Sequence, residues 1–450
     1  MKKVYRRALF LLLLIGLLVS GTLLFCLRYA TQGDDWAAFS ANEHAYTDGR
    51  LSVGQILDRN GIPLYDAETD EYAAERALRR ATLHLVGDSD NNIGSSIKSA
   101  LPSALVGFDV LSGTTGGGSK VYLTIDAELQ MAAYEALDGR SGTVAVYNYQ
   151  TGEVLCMVST PTFDPQDPPT IKDGDSRYEG VYLNRCLSST YTPGSVFKII
   201  TTAAALEQLK DVQQRTFTCE GRMQIGDDTV TCPSVHGTMD LSEAFARSCN
   251  CVYAQLALEL GGEILQHYAE TGGLLTSHLV TGVETAAGSF VIGEEGDLAW
   301  SGVGQYDTLI NPCAMMTLMG AIADGGSAAE PQLILRQTTM ANFPKASPGK
   351  SSTGTLWSPS TCQLLRQMMA NNVATTYGQA QFGSLSVCAK SGTAEVGSGA
   401  PHAWFTGFTD DESHLAFVVV VEHGGSGADV AGSIAATVLQ QAAQLTTDKE

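Results

Sequence analysis

The N-terminal region contains the longest apolar segment of the chain. Residues 8–27 form a run of 20 residues without a charged side chain, which is long enough to span a bilayer as a helix. Four basic residues precede the run and Arg28 follows it, so the positive-inside rule places residues 1–7 in the cytoplasm and the remainder outside. We therefore predict a single retained membrane anchor. A cleaved signal peptide is the alternative, although the run is longer than a usual signal core.

The segment behind the anchor has weaker patterning. Residues 28–48 are mainly polar and indicate a juxtamembrane stalk. Asn60-Gly61, between apolar flanks, predicts a β-hairpin with a two-residue turn. The glycine-rich stretch at 113–119 has the composition of a linker. We therefore predict a small N-terminal domain over 49–118, called the pedestal below, and a large domain over 119–450.

Local patterns in the large domain predict both helices and strands. Asp126 can cap a helix with one apolar face, formed by Leu129, Ala133, Ala136 and Leu137. Residues 143–147 and 154–158 are rich in β-forming side chains, and the turn at 150–152 joins them into a predicted hairpin.

The C-terminal part of the chain supplies further strands. Residues 384–389 and 415–421 predict strands, and 429–445 predicts a closing amphipathic helix. Strands at both ends of a domain, with helices between them, are typical of the α+β class. We therefore predict an antiparallel sheet packed between helices.

Charge excludes one broad class of function. The chain has 27 basic and 48 acidic residues among 450, a net charge of −21. Five of the basic residues precede position 29, where there are no acidic ones, so 22 basic and 48 acidic residues leave −26 for the remainder. Such a surface repels phosphates, and we therefore expect no nucleic-acid partner.

Ten cysteines are too few for a disulfide scaffold of this length. Cys219 and Cys232 flank a glycine-containing turn, and three interpretations remain open for them. They form a disulfide outside the cell, they are two reduced, half-buried thiols, or they bind a metal together with His236. Because the chain contains no Cys-x-x-Cys pair, the sequence does not favour a thiolate zinc site. We therefore assign no metal and no cofactor.

The first chemical motif places a serine and a lysine one helical turn apart. Pro193 and Gly194 suit the start of a helix, so Ser195 is expected at its N-terminus with Lys198 on the same face. A serine hydroxyl needs a base to become a good nucleophile. Lys198 can act as that base if burial and a second cation lower its pKa. A capping serine with a solvated lysine is the alternative.

Two further motifs follow in order. Ser248 and Asn250 are two residues apart, so in an extended loop their side chains would point the same way. Lys390 follows the predicted strand 384–389 and supplies a second cation, while Ser391 and Thr393 offer hydroxyls to a carboxylate. A strand edge can pair with an extended peptide, and Gly392 would let that substrate approach closely. Read separately, both motifs could be ordinary loop and edge residues.

In this order, Ser-x-x-Lys, Ser-x-Asn and Lys-Ser/Thr-Gly resemble the motif set of penicillin-binding proteins and serine β-lactamases. The wider chain resembles a class B penicillin-binding protein, a monofunctional transpeptidase. Shorter matches support the resemblance, among them Asp58-Arg-Asn-Gly61, Leu123-Thr-Ile-Asp126, Thr151-Gly-Glu153, Ser159-Thr-Pro161, Asp164-Pro165, His236-Gly237, Gly304-Gln305 and Gly325-Gly326. Two departures are mild, because Cys249 stands where aspartate is common and Ser391 where threonine is common. The pedestal is shorter than in many class B proteins.

The resemblance implies specific roles. Ser195 would attack the penultimate D-Ala carbonyl of a stem peptide, Lys198 would take its proton, and Ser248 would pass a proton to the departing D-Ala. Ser248 would be held near Lys198 and Lys390, and Asn250 would bind the substrate amide. The resemblance further implies substrate binding by Ser391, Gly392 and Thr393, and an oxyanion hole formed by the backbone N–H groups of Ser195 and Thr393.

The resemblance also implies partners. These are peptidoglycan stem peptides, β-lactam antibiotics that acylate Ser195, and a multi-pass glycan polymerase in the same membrane. Three alternatives remain, namely a serine β-lactamase, a β-lactam sensor and a catalytically silent scaffold. The pedestal argues against a lone lactamase domain, seven residues before the anchor leave no room for a sensor's output domain, and a scaffold has no need of Lys198.

Overall fold

The computed structural model describes residues 2–37, 54–105, 118–345 and 349–447, with side chains described through residue 32 in the first range and residue 445 in the last. Helix α1 (Lys2–Ala37) contains the predicted anchor. Its apolar part is exposed, and Lys2–Gln32 is long and apolar enough to cross a membrane. The helix continues into the first part of the predicted stalk. The rest of the stalk and most of the predicted linker lie outside the described residues.

The remaining described residues form a mixture of short helices and strands. The helices are α2 Arg76–Val86, α3 Ile97–Ala100, α4 Pro102–Leu105, α5 Ala127–Leu137, α6 Arg185–Ser188, α7 Lys198–Gln208, α8 Leu241–Ala246, α9 Asn250–Leu260, α10 Gly262–Thr271, α11 Glu295–Val303, α12 Pro312–Ala323, α13 Pro359–Asn372 and α14 Gly432–Thr447. The strands are β1 Gln55–Leu57, β2 Pro63–Asp66, β3 Glu71–Tyr72, β4 Ser119–Leu123, β5 Gly142–Asn148, β6 Val154–Thr160, β7 Phe217–Cys219, β8 Arg222–Ile225, β9 Asp228–Thr231, β10 Gly237–Met239, β11 Leu279–Val280, β12 Val283–Glu284, β13 Ile334–Thr339, β14 Val387–Ala394, β15 His402–Thr409 and β16 Leu415–Val421.

The central sheet has five strands in the order β14-β15-β16-β5-β6. Every neighbouring pair is antiparallel, which confirms the predicted α+β class. The predicted hairpin is β5–β6, and the predicted strand 415–421 matches β16. Strand β14 lies at one edge of the sheet.

Both faces of the central sheet are buried. Along β5, Val144 and Val146 join one hydrophobic cluster, which also contains Leu129 of α5 and Leu439 of α14. Ala145, between these two valines, and Tyr147, which follows them, belong to the main core on the opposite face. Strand side chains alternate between faces, so a sheet covered on both sides needs nearly continuous apolar strands. The Asp126 side chain accepts hydrogen bonds from the amides of Glu128 and Leu129, which confirms the predicted cap of α5.

A second sheet joins the pedestal to the large domain. Its order is β13-β4-β1-β2-β3, and β4 pairs parallel with β1. Strands from both sides of the predicted boundary at 118 thus share one sheet. The Asn60-Gly61 hairpin is present as β1–β2, but its loop spans 58–62, so the predicted two-residue turn is wrong. The Asp58 side chain stabilises this longer loop by accepting hydrogen bonds from the amide N–H groups of Asn60 and Ile62.

The segment between α7 and α8 forms a small lobe, residues 217–239, called the insert below. Strands β7 and β10 pair antiparallel, and β8–β9 forms a hairpin between them. Strand β9 and helix α9 lie in contact. The insert therefore packs against the segment that carries Ser248 and Asn250.

Candidate active site

Ser195 lies on a tight turn that leads directly into α7. A 3-10 turn covers Gly194–Phe197, and α7 begins at Lys198, as the sequence predicts for a serine at a helix N-terminus. Gly194 has φ +57°, a left-handed conformation that glycine adopts without strain. A side chain at this position would also lie 2.7 Å from the carbonyl oxygen of Thr393. The serine turn is therefore held directly against β14.

Lys198 is fully buried and makes three polar contacts. Its Nζ lies 2.6 Å from the Ser248 carbonyl oxygen, 3.2 Å from Ser248 Oγ and 2.7 Å from Asn250 Oδ1. Burial lowers the pKa of Lys198 to about 7, because the charged ammonium loses its hydration. A substantial fraction of this amine is therefore neutral near neutral pH. The contacts bring the first two predicted motifs together.

The segment around Ser248 is not the extended loop that the spacing predicts. Ser248 has φ +51°, and Asn250 is the first residue of α9. A capping box of Asp240 and Glu243 starts α8, which ends at Ala246 just before the motif. The two side chains meet at Lys198 because the chain turns sharply between two helices. Asn250 Nδ2 also donates to the Thr231 carbonyl oxygen at 2.8 Å, which ties it to the insert.

Lys390 approaches Ser248 from the other side. Its Nζ lies 3.0 Å from Ser248 Oγ and 2.9 Å from the Ser391 carbonyl oxygen. Burial, followed by repulsion from Lys198, lowers the pKa of Lys390 well below its ordinary value. One hydroxyl is thus shared by two buried amines. Such a hydroxyl can pass a proton between them and a bound group.

Residues 390–393 lie inside a strand and not after one. The predicted strand ended at 389, but β14 continues to Ala394 because Lys390, Gly392 and Thr393 all pair with β15. Packing within the protein itself requires glycine at position 392, because a Cβ there would lie 2.7 Å from the carbonyl oxygen of Pro193. From the sequence we expected a substrate to approach Gly392 closely, but in the structure the turn that carries Ser195 occupies that space.

Tyr377, which the sequence analysis did not identify, forms hydrogen bonds with the edge strand β14. Its hydroxyl accepts the Ser391 amide at 2.9 Å and lies 3.0 Å from Ser391 Oγ. Tyr377 stands in a separate turn, Val373–Tyr377, and no local motif marks it. Only the packing of that turn against β14 reveals the contact.

A cleft of about 730 Å³ opens over these residues. Ser195, Ser248, Asn250, Ser391 and Thr393 all line it. Trp300, Val303, Gln305, Tyr306 and Arg247 form further parts of the wall, together with Thr231, Cys232, Pro233 and Glu395. The cleft thus combines a serine at a helix start, a buried base and a strand edge. These features define a serine acyl-transfer site.

Cys219 and Cys232 do not form the disulfide considered from the sequence. Both are free thiols in the described part of the chain. Cys232 instead faces Cys249, with the two Sγ atoms 3.7 Å apart, and Cys219 Sγ faces His236 Nδ1, also at 3.7 Å. The structure therefore adds Cys249, the central residue of the second motif, to the group that the sequence suggested.

Comparison with protein families matches residues 142–440 to the penicillin-binding protein transpeptidase domain. The peptidoglycan D,D-transpeptidase PbpA of Mycolicibacterium smegmatis is 30% identical to this chain over 363 residues, which cover 74% of this chain and 73% of PbpA. The chain therefore belongs to the penicillin-binding protein transpeptidase family and fits its class B.

Solved structures show the same architecture. The ceftriaxone acyl-enzyme of penicillin-binding protein A from M. tuberculosis has a TM-score of 0.77 at 23% identity, covering 87% of this chain and 98% of that one. A structure of a peptidoglycan synthase complex, described as coordinating polymerization and crosslinking, has a TM-score of 0.60 at 25% identity. It covers 72% of this chain and 62% of that one.

Proposed function

We propose that this protein is a serine peptidoglycan D,D-transpeptidase that cross-links stem peptides through an acyl-enzyme on Ser195. The observation that carries the proposal is the position of Ser248 Oγ, 3.2 Å from Lys198 Nζ and 3.0 Å from Lys390 Nζ, in the cleft that Ser195 lines. The relationship to PbpA supports the choice of substrate.

Acylation begins with proton transfer from Ser195. Neutral Lys198 takes the hydroxyl proton as Oγ attacks the carbonyl carbon of the penultimate D-Ala, and a tetrahedral oxyanion forms. Collapse of this intermediate breaks the peptide bond. The departing D-Ala amine receives its proton through Ser248, which lies between the two lysines. The carbonyl then remains esterified to Ser195.

The oxyanion hole is assigned to the amides of Ser195 and Thr393. The Ser391 N–H donates to Tyr377 Oη, so it points away from β15. Because alternate amides of a strand point to the same side, the Thr393 N–H also points to the open edge of the sheet. That edge lies against the serine turn, where donors can stabilise a developing negative charge.

The second half-reaction completes the cross-link. Lys198 is neutral again once its proton has passed through Ser248 to the D-Ala amine. An amine from a neighbouring stem peptide then attacks the ester carbonyl and gives a proton to Lys198, and Ser195 takes that proton from Lys198 as it leaves. During acylation, Ser391 and Thr393 hold the terminal carboxylate of the donor stem peptide and Asn250 binds its amide. Gly392 keeps the strand close to Ser195. β-Lactams acylate Ser195 by the same route, and the opened ring stays attached.

The proposal extends to location and partners. The basic residues before the apolar run at 8–27 support a cytoplasmic N-terminus, which places the catalytic domain on the outer face of the plasma membrane. We propose that residues 49–118 form a pedestal and 119–450 the transpeptidase domain. A multi-pass glycan polymerase is the proposed membrane partner, supported by the similarity to a chain of the synthase complex.

The test uses the full-length chain in detergent. Benzylpenicillin is added and intact mass is followed over an hour, with Ser195→Ala as the control. We expect a persistent adduct of one whole penicillin on the original chain and none on the variant. A short-lived adduct with hydrolysed drug would instead mean a β-lactamase. Labelling that survives in Ser195→Ala would overturn the assignment of the nucleophile.

A further inference from the structure

Four potential metal ligands converge behind the second motif. The ligand atoms of Cys219, Cys232, His236 and Cys249 all lie within 4.8 Å of one another. Cys219 and Cys249 are buried, and the other two are partly buried. Three of the four come from the insert, and the fourth is the residue between Ser248 and Asn250. The transpeptidase mechanism uses none of them.

Two of the distances between these atoms match those around a tetrahedral zinc ion. Zinc binds cysteine sulfur at about 2.3 Å and histidine nitrogen at about 2.0 Å, so neighbouring ligand atoms in a tetrahedron lie roughly 3.5–3.8 Å apart. The Cys232–Cys249 sulfur pair and the Cys219–His236 pair are each separated by 3.7 Å. The four atoms therefore need only small movements to surround one ion.

Backbone amides already point at two of the sulfur atoms. Gly221 N–H donates to Cys219 Sγ, and Cys251 N–H donates to Cys232 Sγ, each at 3.4 Å. Hydrogen bonds of this kind stabilise thiolate charge and orient ligands around a metal.

We propose that Cys219, Cys232, His236 and Cys249 bind one zinc ion, which anchors the Ser248-Cys249-Asn250 segment to the insert. Three cysteine thiolates and a neutral histidine complete a closed Cys3His set, the composition of a structural site. Binding releases the three thiol protons to solvent. The ion itself takes no part in acyl transfer.

The metal site lies directly beside residues that line the active-site cleft. Cys249 lies between the two residues that contact Lys198, and Cys232 follows Thr231, whose carbonyl accepts Asn250 Nδ2. Without the ion, only weaker contacts connect the insert to these side chains. We infer that zinc is a positioning element for Ser248 and Asn250. This consequence for acylation rests on the proposed function, whereas the metal site does not.

Metal content provides the first test. The full-length chain is purified in detergent without chelators, and zinc is measured by mass spectrometry against protein concentration. We expect about one zinc per chain, most of which is lost in Cys232→Ser and in His236→Ala. Two controls replace cysteines outside the set. Cys251→Ser alters a neighbour of the site, and Cys362→Ser alters a buried thiol of α13. Both should retain the ion.

Cobalt provides a readout that does not depend on activity. Zinc is removed with a chelator, Co²⁺ is added, and the visible spectrum is recorded. Tetrahedral cobalt with thiolate ligands absorbs strongly, so the original chain and Cys362→Ser should give this spectrum, and Cys232→Ser should not. Circular dichroism on each variant shows whether the fold is retained, and His236→Ala serves if Cys232→Ser does not fold.

Several outcomes would overturn the site. A metal-free chain that gives no cobalt–thiolate spectrum would contradict it. A mass two hydrogens lower, with Cys232 and Cys249 linked in a peptide map, would show a disulfide instead. Loss of zinc in Cys251→Ser would contradict the ligand set.

The positioning role has its own test. The zinc-depleted chain should be acylated by benzylpenicillin about tenfold more slowly, and added Zn²⁺ should restore the rate. Unchanged acylation would remove the positioning role. Because Ser195→Ala should still bind zinc, failure of the transpeptidase proposal and failure of the metal proposal are distinguishable.

Discussion

At the scale of single residues, the main feature is a pair of buried lysines around one hydroxyl. Lys198 and Lys390 are fully buried, and each contacts Ser248 Oγ. Burial lowers the pKa of both amines, because each charged form loses its hydration, and repulsion from Lys198 lowers the pKa of Lys390 further. The same burial that makes charge costly there makes Lys198 a usable base.

The pKa of about 7 for Lys198 predicts a pH dependence of acylation. The pKa is lowered, so the neutral amine accumulates as pH rises. The second-order rate constant for benzylpenicillin should therefore rise from about pH 6 and level off above about pH 8. Stopped-flow or quenched mass measurements give this profile, with a thermal melt at each pH to show that the protein stays folded. A flat profile over this range would contradict the assignment of Lys198 as the base.

At the scale of elements, the serine turn is held between two neighbours without room for side chains. A Cβ at Gly392 of β14 would meet the Pro193 carbonyl, and one at Gly304, just after α11, would clash with the Gly194 carbonyl oxygen. Gly194 N–H also donates to the Gly304 carbonyl at 2.8 Å. The position of Ser195 is therefore set by backbone packing on both sides of its turn.

Gly304→Ala should disturb this turn. Gly304 has φ +91°, so alanine costs about 1–2 kcal/mol in backbone strain alone. The clash adds to this cost and displaces the serine, so both the melting temperature and the acylation rate should fall. Gly261→Ala is the matched control, because Gly261 has φ +83° but open space around its Cβ. The control should lose stability and keep its acylation rate. Equal acylation in the two variants would show that the Gly304 packing does not position Ser195.

At the scale of the whole molecule, the pedestal and the large domain share more than a sheet. Arg79 of α2 forms two 2.7 Å hydrogen bonds with Asp164, which follows β6. The Asp164 side chain is only 4% exposed. Arg79 also donates to the carbonyls of Ala73 and Ala74. The described part of the predicted pedestal is therefore tied by these hydrogen bonds to the segment that follows the central sheet.

Arg79→Ala should destabilise the molecule without touching the cleft. It leaves the buried Asp164 carboxylate without its bidentate partner, and such a loss costs about 3 kcal/mol. Arg76→Ala provides a matched control, since Arg76 contacts the same carboxylate at 3.4 Å but is 70% exposed. The control should change the free energy of unfolding by less than about 0.5 kcal/mol. Denaturant unfolding measures both. Similar losses of unfolding free energy in the two variants would show that burial of the Arg79–Asp164 pair does not add to its contribution to stability.

Local sequence was sufficient for several elements and for locating the three motifs. The apolar run, the Asp126 cap, the β5–β6 hairpin and β16 all follow from side-chain periodicity and capping, which act over a few residues. The end of β14 did not, because pairing with β15 extends the strand past Ala389. The hairpin loop at 58–62 also differed, because the Asp58 side chain stabilises a longer turn.

The sequence by itself thus determined the apolar N-terminal helix, the α+β class and the order of Ser195, Lys198, Ser248 and Lys390. The tertiary structure alone decided what surrounds them. Tyr377 at Ser391, the Pro193 carbonyl over Gly392 and the Cys249 thiol beside Cys232 are contacts between segments distant in sequence. No local pattern encodes such contacts, because they arise only when helices and sheets pack to bury their apolar faces.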